Sequence, residues 1–147
     1  MAKSVCQVLL TAEPLLPPPD SAPAETGAII DFWGVVRETE TGAKIRGIDY
    51  EAHRAMAEHQ LRRVAEQAEE NFDLSQITIQ HRLGFVPVGV ASLLVRVGSR
   101  HRAEAYRASA AIVEELKKHA PIWKHPVFIK APNSNGPGTK SAVISAA

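Results

Sequence analysis

The chain has 147 residues and a mass of 15.9 kDa, with 45% hydrophobic and 22% charged residues. That is enough apolar surface for one folded domain and too much for wholesale disorder. Seventeen Lys and Arg against 16 Asp and Glu leave a net charge of +1, which gives no general pull toward nucleic acid or anionic membrane. No run approaches the roughly 20 apolar residues of a membrane span, and no apolar block follows the N-terminal charge as in a secretory signal. The single cysteine, Cys6, cannot by itself form an internal disulfide or a thiolate metal site. The expectation is a soluble, cytoplasmic, single domain over 1–147.

In chain order, Val5 to Leu10 reads as a short strand. A Pro-rich surface connection follows over 14–26. Proline lacks the N–H donor and restricts its neighbour, so this stretch is neither helix nor interior strand. Ala28 to Val36 is apolar and β-rich, with Asp31 and Trp33 on one side and Ile30 and Phe32 on the other. Glu38 to Lys44 reads as a loop, and Ile45 to Glu51 as a partner strand. His53 to Asn71 is a helix by period, with Ala57, Leu61, Val64 and Ala68 on its buried stripe and Glu58, Arg62, Glu66 and Glu69 opposite. Ile77 to Gln80 alternates as a strand, Pro87 and Gly89 mark a turn, and Ala91 to Val97 is a further strand. Ser99 is placed to cap a second helix from about Arg100 to His119, burying Ala105, Ser109, Ile112 and Leu116, with Pro121 ending it. The segment 131–147 reads as a flexible tail in which only Ser141 to Ser145 can add an edge strand. Two helices among strands adjacent in sequence point to α+β with a largely antiparallel sheet.

Charge is uneven along the chain. Eight acidic residues fall between Glu38 and Glu70, but beyond Asp73 only Glu104, Glu114 and Glu115 remain. Three basic features stand in this pattern. Arg37 ends the apolar strand, where alone it reads as a solvated side chain. Arg100, His101 and Arg102 crowd a helix N-terminus, where positive side chains oppose the dipole unless an anion is bound, and so point to an anion site. Lys117, Lys118, His119 and Lys124 follow at the helix C-terminus, where cations are favourable without any function. Helical geometry turns Lys118 to water and stacks Lys117 one turn after Val113, where it can line a pocket. A partly desolvated lysine beside other cations suits acid, base or nucleophilic work.

Five segments are then decisive in combination: Gly27 to Arg37, Asp49 to His53 with Met56-Ala57, His81 to Gly84, Ser99 to Arg102, and Leu116-Lys117 through Ala120 to Lys124. In this order and spacing the chain resembles the molybdopterin synthase large-subunit family, from Val5 to about Lys130. The resemblance implies an α/β hammerhead fold with an additional antiparallel β subdomain. It implies a sulfurtransferase of molybdenum cofactor biosynthesis that converts cyclic pyranopterin monophosphate (precursor Z) to molybdopterin. Two sulfurs arrive as the thiocarboxylate on the C-terminal glycine of a small ubiquitin-like subunit, which agrees with Cys6 lying outside every matched segment. The implied assembly is a homodimer within a heterotetramer, and no cofactor is implied.

Carried over by position, Lys117 and Lys124 correspond to the catalytic lysines, and Arg37, His101, Arg102 and His125 to the substrate pocket. Arginine offers phosphate a fixed bidentate fork, and lysine a group that exchanges a proton. Lys117 is assigned acid–base or covalent steps and Lys124 substrate positioning, with the reverse assignment open. The chain departs from the family pattern after Lys124, where a basic residue and then a glutamate usually follow but His125 and Pro126 stand here. It also lacks the usual tryptophan near the C-terminus. The competing expectation is a non-catalytic binder of a phosphorylated small molecule.

Overall fold

The computed structural model describes residues 4–129 and 142–143. Within them are nine strands and two helices arranged as two sheets. In the first sheet, β1 (Val5–Thr11), β5 (Leu74–Arg82), β7 (Ala91–Ser99) and β2 (Ala28–Val35) lie side by side in that order. Only β1 and β5 run parallel; the β5–β7 and β7–β2 pairs are antiparallel. Helix α1 (Arg54–Asn71) packs on β1 and β5, and α2 (Arg102–His119) on β7 and β2. The α+β expectation with a largely antiparallel sheet holds, and a separate antiparallel sheet stands beside it.

Alternation decides which face of the first sheet the helices cover. Cys6, Val8, Leu10, Ile77, Ile79, Leu93, Val95, Val97, Ile30 and Phe32 face the helices and belong to the core or pack against it. Both helix stripes lie as their periods require, with Ala57, Leu61, Val64 and Ala68 buried on α1 and Ala105, Ser109, Ile112 and Leu116 on α2. His53 caps α1 by accepting the Met56 N–H at 3.2 Å on Nδ1. On the other face the Pro-rich connection crosses the sheet as a strap. Arg96 forks onto Asp31 at 2.7 and 2.8 Å and donates to the Pro19 carbonyl at 2.7 Å. The connection is therefore fastened to β7, because carbonyls that proline leaves without ladder partners accept from a buried guanidinium.

The second sheet orders β3 (Thr39–Glu40), β4 (Ala43–Ala52), β8 (Ile122–Phe128) and β9 (Ala142–Val143), with β6 (Gly84–Pro87) also paired to β4. Three expectations need correction here. Glu38 to Lys44 is a β-hairpin rather than a loop, turning through Thr41 and Gly42, both at positive φ (48° and 83°). Two left-handed residues match the right-handed twist of paired strands, so Thr-Gly makes a tight connection. The strand at Ile45 to Glu51 does not pair with Ala28 to Val36; β2 pairs with β7, and β4 builds the other sheet. Ser99 is not the cap of α2 but the buried last residue of β7, and its hydroxyl donates to the His101 carbonyl. The expected tail lies outside the described residues except for Ala142–Val143, which pairs antiparallel with β8 inside the span expected for an edge strand.

Candidate functional site

At the start of α2, His101 is the cap residue by backbone geometry and makes no side-chain capping bond. The first-turn N–H groups are thus left open to an anion. Arg100, His101 and Arg102 are exposed, and no ion pair joins them to another described residue. The turn does carry one carboxylate, Glu104, which supports the dipole. It is engaged elsewhere, accepting from Arg107 at 2.6 Å and from the Asp73 N–H at 3.4 Å. The Arg107 bond, helped by the Asp73 N–H, lowers its carboxyl below the usual range.

Toward the other end of α2 an open groove of about 650 Å³ runs between the helix and β2, lined by Phe32, Tyr106, Val113, Glu114, Lys117 and Lys118 among others. Lys117 lines this groove, as its helical phase predicts. Lys118 is exposed, as expected, and also borders the groove, because at a wide groove the sector of helix that meets the lining exceeds one row of side chains. Arg37, just past the end of β2, is exposed.

Lys124 lies apart from the exposed cations. It projects from β8 toward the core, only 6% exposed, with Nζ 3.0 Å from the Glu40 carboxylate. Its register partner on β4 is Tyr50, whose phenol burial pushes up, the Glu40 charge adding to that and a hydrogen bond from Ser92 opposing it. Behind Tyr50 stands His81, its ring edge-on at 5.0 Å. His125, one residue beyond Lys124, points to the opposite face of the sheet and pairs with Glu51 at 3.0 Å.

The six predicted residues therefore do not converge within one chain. Arg37 follows the Val35 end of β2, whereas His101 follows Ser99, which pairs with Ala28 at the opposite end. Eight strand residues separate those ends, roughly 25 Å. Arg102 and Lys117 stand near the two ends of an 18-residue helix, roughly 22 Å apart. Glu40 beside Lys124, and Phe32 and Tyr106 on the groove wall, are neighbours of the candidate residues that the sequence reading did not single out. The Thr-Gly turn was a readable signal that Glu40 sits on a strand end, but nothing in the sequence puts it beside Lys124.

Residues 12–119 match the MoaE protein family. The chain belongs to that family. It is 39% identical over 104 residues to the molybdopterin synthase catalytic subunit of Pyrococcus abyssi, the match covering 71% of this chain and 70% of that one. Against the human molybdopterin synthase catalytic subunit it is 36% identical over 102 residues, 69% of this chain and 54% of its relative. The match thus spans about half the human protein's length. Among solved structures, molybdopterin synthase from Staphylococcus aureus superposes with a TM-score of 0.77 at 29% identity, over 89% of this chain and 95% of that one. A chain from a Helicobacter pylori complex of subunits 1 and 2 of the molybdopterin-converting factor shares the fold, with a TM-score of 0.63 at 19% identity over 92% and 94%. Of the predicted residues, Arg37, His101, Arg102 and Lys117 lie inside the MoaE match, and Lys124 and His125 lie beyond it.

Proposed function

We propose that this MoaE-family chain is the catalytic subunit of a molybdopterin synthase, acting in molybdenum cofactor biosynthesis. It converts precursor Z to molybdopterin with sulfur from the thiocarboxylated C-terminus of a small ubiquitin-like partner. Each tail carries one sulfur, so a dithiolene consumes two tails, and water restores each to a carboxylate. The observation that carries this reading is the contrast between its two lysines. Lys117 stands exposed on the groove wall, where it can exchange protons with substrate and solvent. Lys124 is buried against Glu40, which suits a fixed positive charge rather than a proton carrier. This favours the assignment of proton transfer or covalent work to Lys117 and of positioning to Lys124.

The separation of the cations along α2 supports the homodimer. No pterin monophosphate spans the distance between Lys117 and Arg102 of one chain. A second copy laid antiparallel along the groove would bring its His101 and Arg102 to the Lys117 and Arg37 end of the first. His125, on the other face and held by Glu51, is left outside this site. The test is reconstitution with a thiocarboxylated small subunit and precursor Z, assaying molybdopterin. Product formation is the expected result. Binding of the pterin phosphate without product would reduce the chain to a binder.

A further inference from the structure

Lys124 carries the positioning role in the reading above, and Glu40 is its partner at 3.0 Å. Both side chains are largely withdrawn from water, at 8% and 18% exposure. An ammonium in that setting loses hydration, and without a counter-charge it is favoured as the neutral amine, which can no longer hold an anion. A lysine stem is also long and flexible, so burial alone does not fix where its nitrogen sits. Glu40 meets both needs. Its place is set by the hairpin: Thr41 and Gly42 turn the chain immediately after it, and the Thr41 hydroxyl donates to the Glu40 carbonyl at 2.7 Å. The residue two beyond Lys124, on the same face of β8, is Pro126, where the family pattern carries a glutamate. A carboxylate therefore reaches Lys124 in this chain from the neighbouring hairpin and not from its own strand.

We propose that Glu40 is the positioning residue of Lys124, holding its ammonium charged and at a fixed point while the remaining N–H donors stay available to an anionic substrate. An ammonium has three such donors, so one carboxylate does not exhaust it. Among the described residues, Tyr50 from β4 faces the pair and His81 from β5 stands behind it; the ring of His125 is on the far side of the sheet. The phenol, pushed up by burial, and the buried imidazole are both neutral near pH 7, so the counter-charge comes from Glu40.

The inference rests on Lys124 acting in the proposed reaction, so its test has an arm that needs no substrate. Parent, Glu40→Gln and Glu40→Asp proteins are treated with acetic anhydride, and the acetylation of Lys124 relative to Lys117 is read by peptide mass spectrometry. Lys124 should become several-fold more reactive in Glu40→Gln and return toward the parent in Glu40→Asp. In the reconstituted assay Glu40→Gln should lower kcat about 10-fold to 10²-fold, the scale of a small misplacement, with a lesser change in KM. The alkaline limb of its pH–rate profile should move to lower pH, and Glu40→Asp should recover much of both. Unaltered Lys124 reactivity, or a parental kcat and pH limb in Glu40→Gln, would overturn the proposal. So would lost activity that follows a lowered melting temperature with the pH limb unmoved, which is what a purely structural pair would give. An inactive parent would sink the catalytic reading instead, while the acetylation arm would still judge the pair.

Discussion

Replacing Lys117 removes an exposed ammonium from the groove wall, whereas replacing Lys124 strands the Glu40 carboxylate without its cation. Lys117→Ala should cut molybdopterin formation by about 10²–10⁴-fold as a lost proton-transfer group, and Lys124→Ala by about 10²-fold or more as lost positioning. The two should part company in urea unfolding. Lys117→Ala should stay within about 0.5 kcal/mol of the parent, and Lys124→Ala should lose on the order of 3 kcal/mol. Equal stabilities would mean the Glu40 pair contributes nothing to the fold. His81 carries a pH prediction of its own. Its Nδ1–H donates to the Arg82 carbonyl at 2.7 Å, and Nε2 is buried with no partner among the described residues. Burial pushes the imidazole down to about 4, against about 6.5 in the unfolded chain. The unfolded state therefore takes its proton first as pH falls. The associated stability is fully present above about pH 6.5, is lost progressively toward about pH 4, and amounts to about 3 kcal/mol. Urea midpoints measured at stepped pH should show this slope, and His81→Leu should remove most of it. Lys117 and Lys124 could be singled out as candidates because each lies in a segment that carries the family resemblance. The Glu40 contact was not, because it depends on which strands pair.

The same division holds for elements. Both helices could be read from their 3.6-residue periods, down to the individual buried side chains, because a helix buries a stripe set by its own sequence. Strands β1, β2, β4 and β7 were readable close to their full extent, but β5 was readable only over Ile77 to Gln80, and β6 and β8 were not readable as strands. Partners were not readable either: β4 and β2 fall in different sheets, and no local signal separates them. The strap is another tertiary matter. The prolines announce a stretch with few hydrogen bonds, but only the fold reveals that Arg96 gathers it onto β7 through Pro18, Pro19 and Asp31. Arg96→Ala leaves those carbonyls and the largely covered Asp31 carboxylate unanswered. It should cost on the order of 2–4 kcal/mol and make 14–26 the first site of cleavage in limited proteolysis. Cleavage elsewhere, with the strap intact, would show that other contacts hold it.

For the whole molecule the expectation is a dimer, running near twice 15.9 kDa in light scattering. The distance along α2 makes a sharper experiment possible. If one copy supplies Lys117 and the other His101 and Arg102, then Lys117→Ala and Arg102→Ala are each inactive alone but complement when subunits exchange. Random mixing makes half the dimers heterologous, each with one intact site, so about a quarter of parental activity should return. No recovery after verified exchange would place all the cations of each site on one chain.

Among the described strands β1 and β5 form the lone parallel pair, and this bears on the nascent chain. β1 leaves the ribosome well before β5, the strand that completes it, which begins only at Leu74. At ordinary translation speeds β1 waits several seconds for that partner. A crossover of this length must close before its contacts form, which makes β1 a late-docking edge. A chain that lost β1 would expose the backbone groups of β5, a bare edge next to Ile77 and Ile79, open to pairing with another copy. The Ser4 N–H donates to the Glu69 carboxylate at 2.9 Å and so tethers the front of β1 to α1, over the edge that its loss would bare.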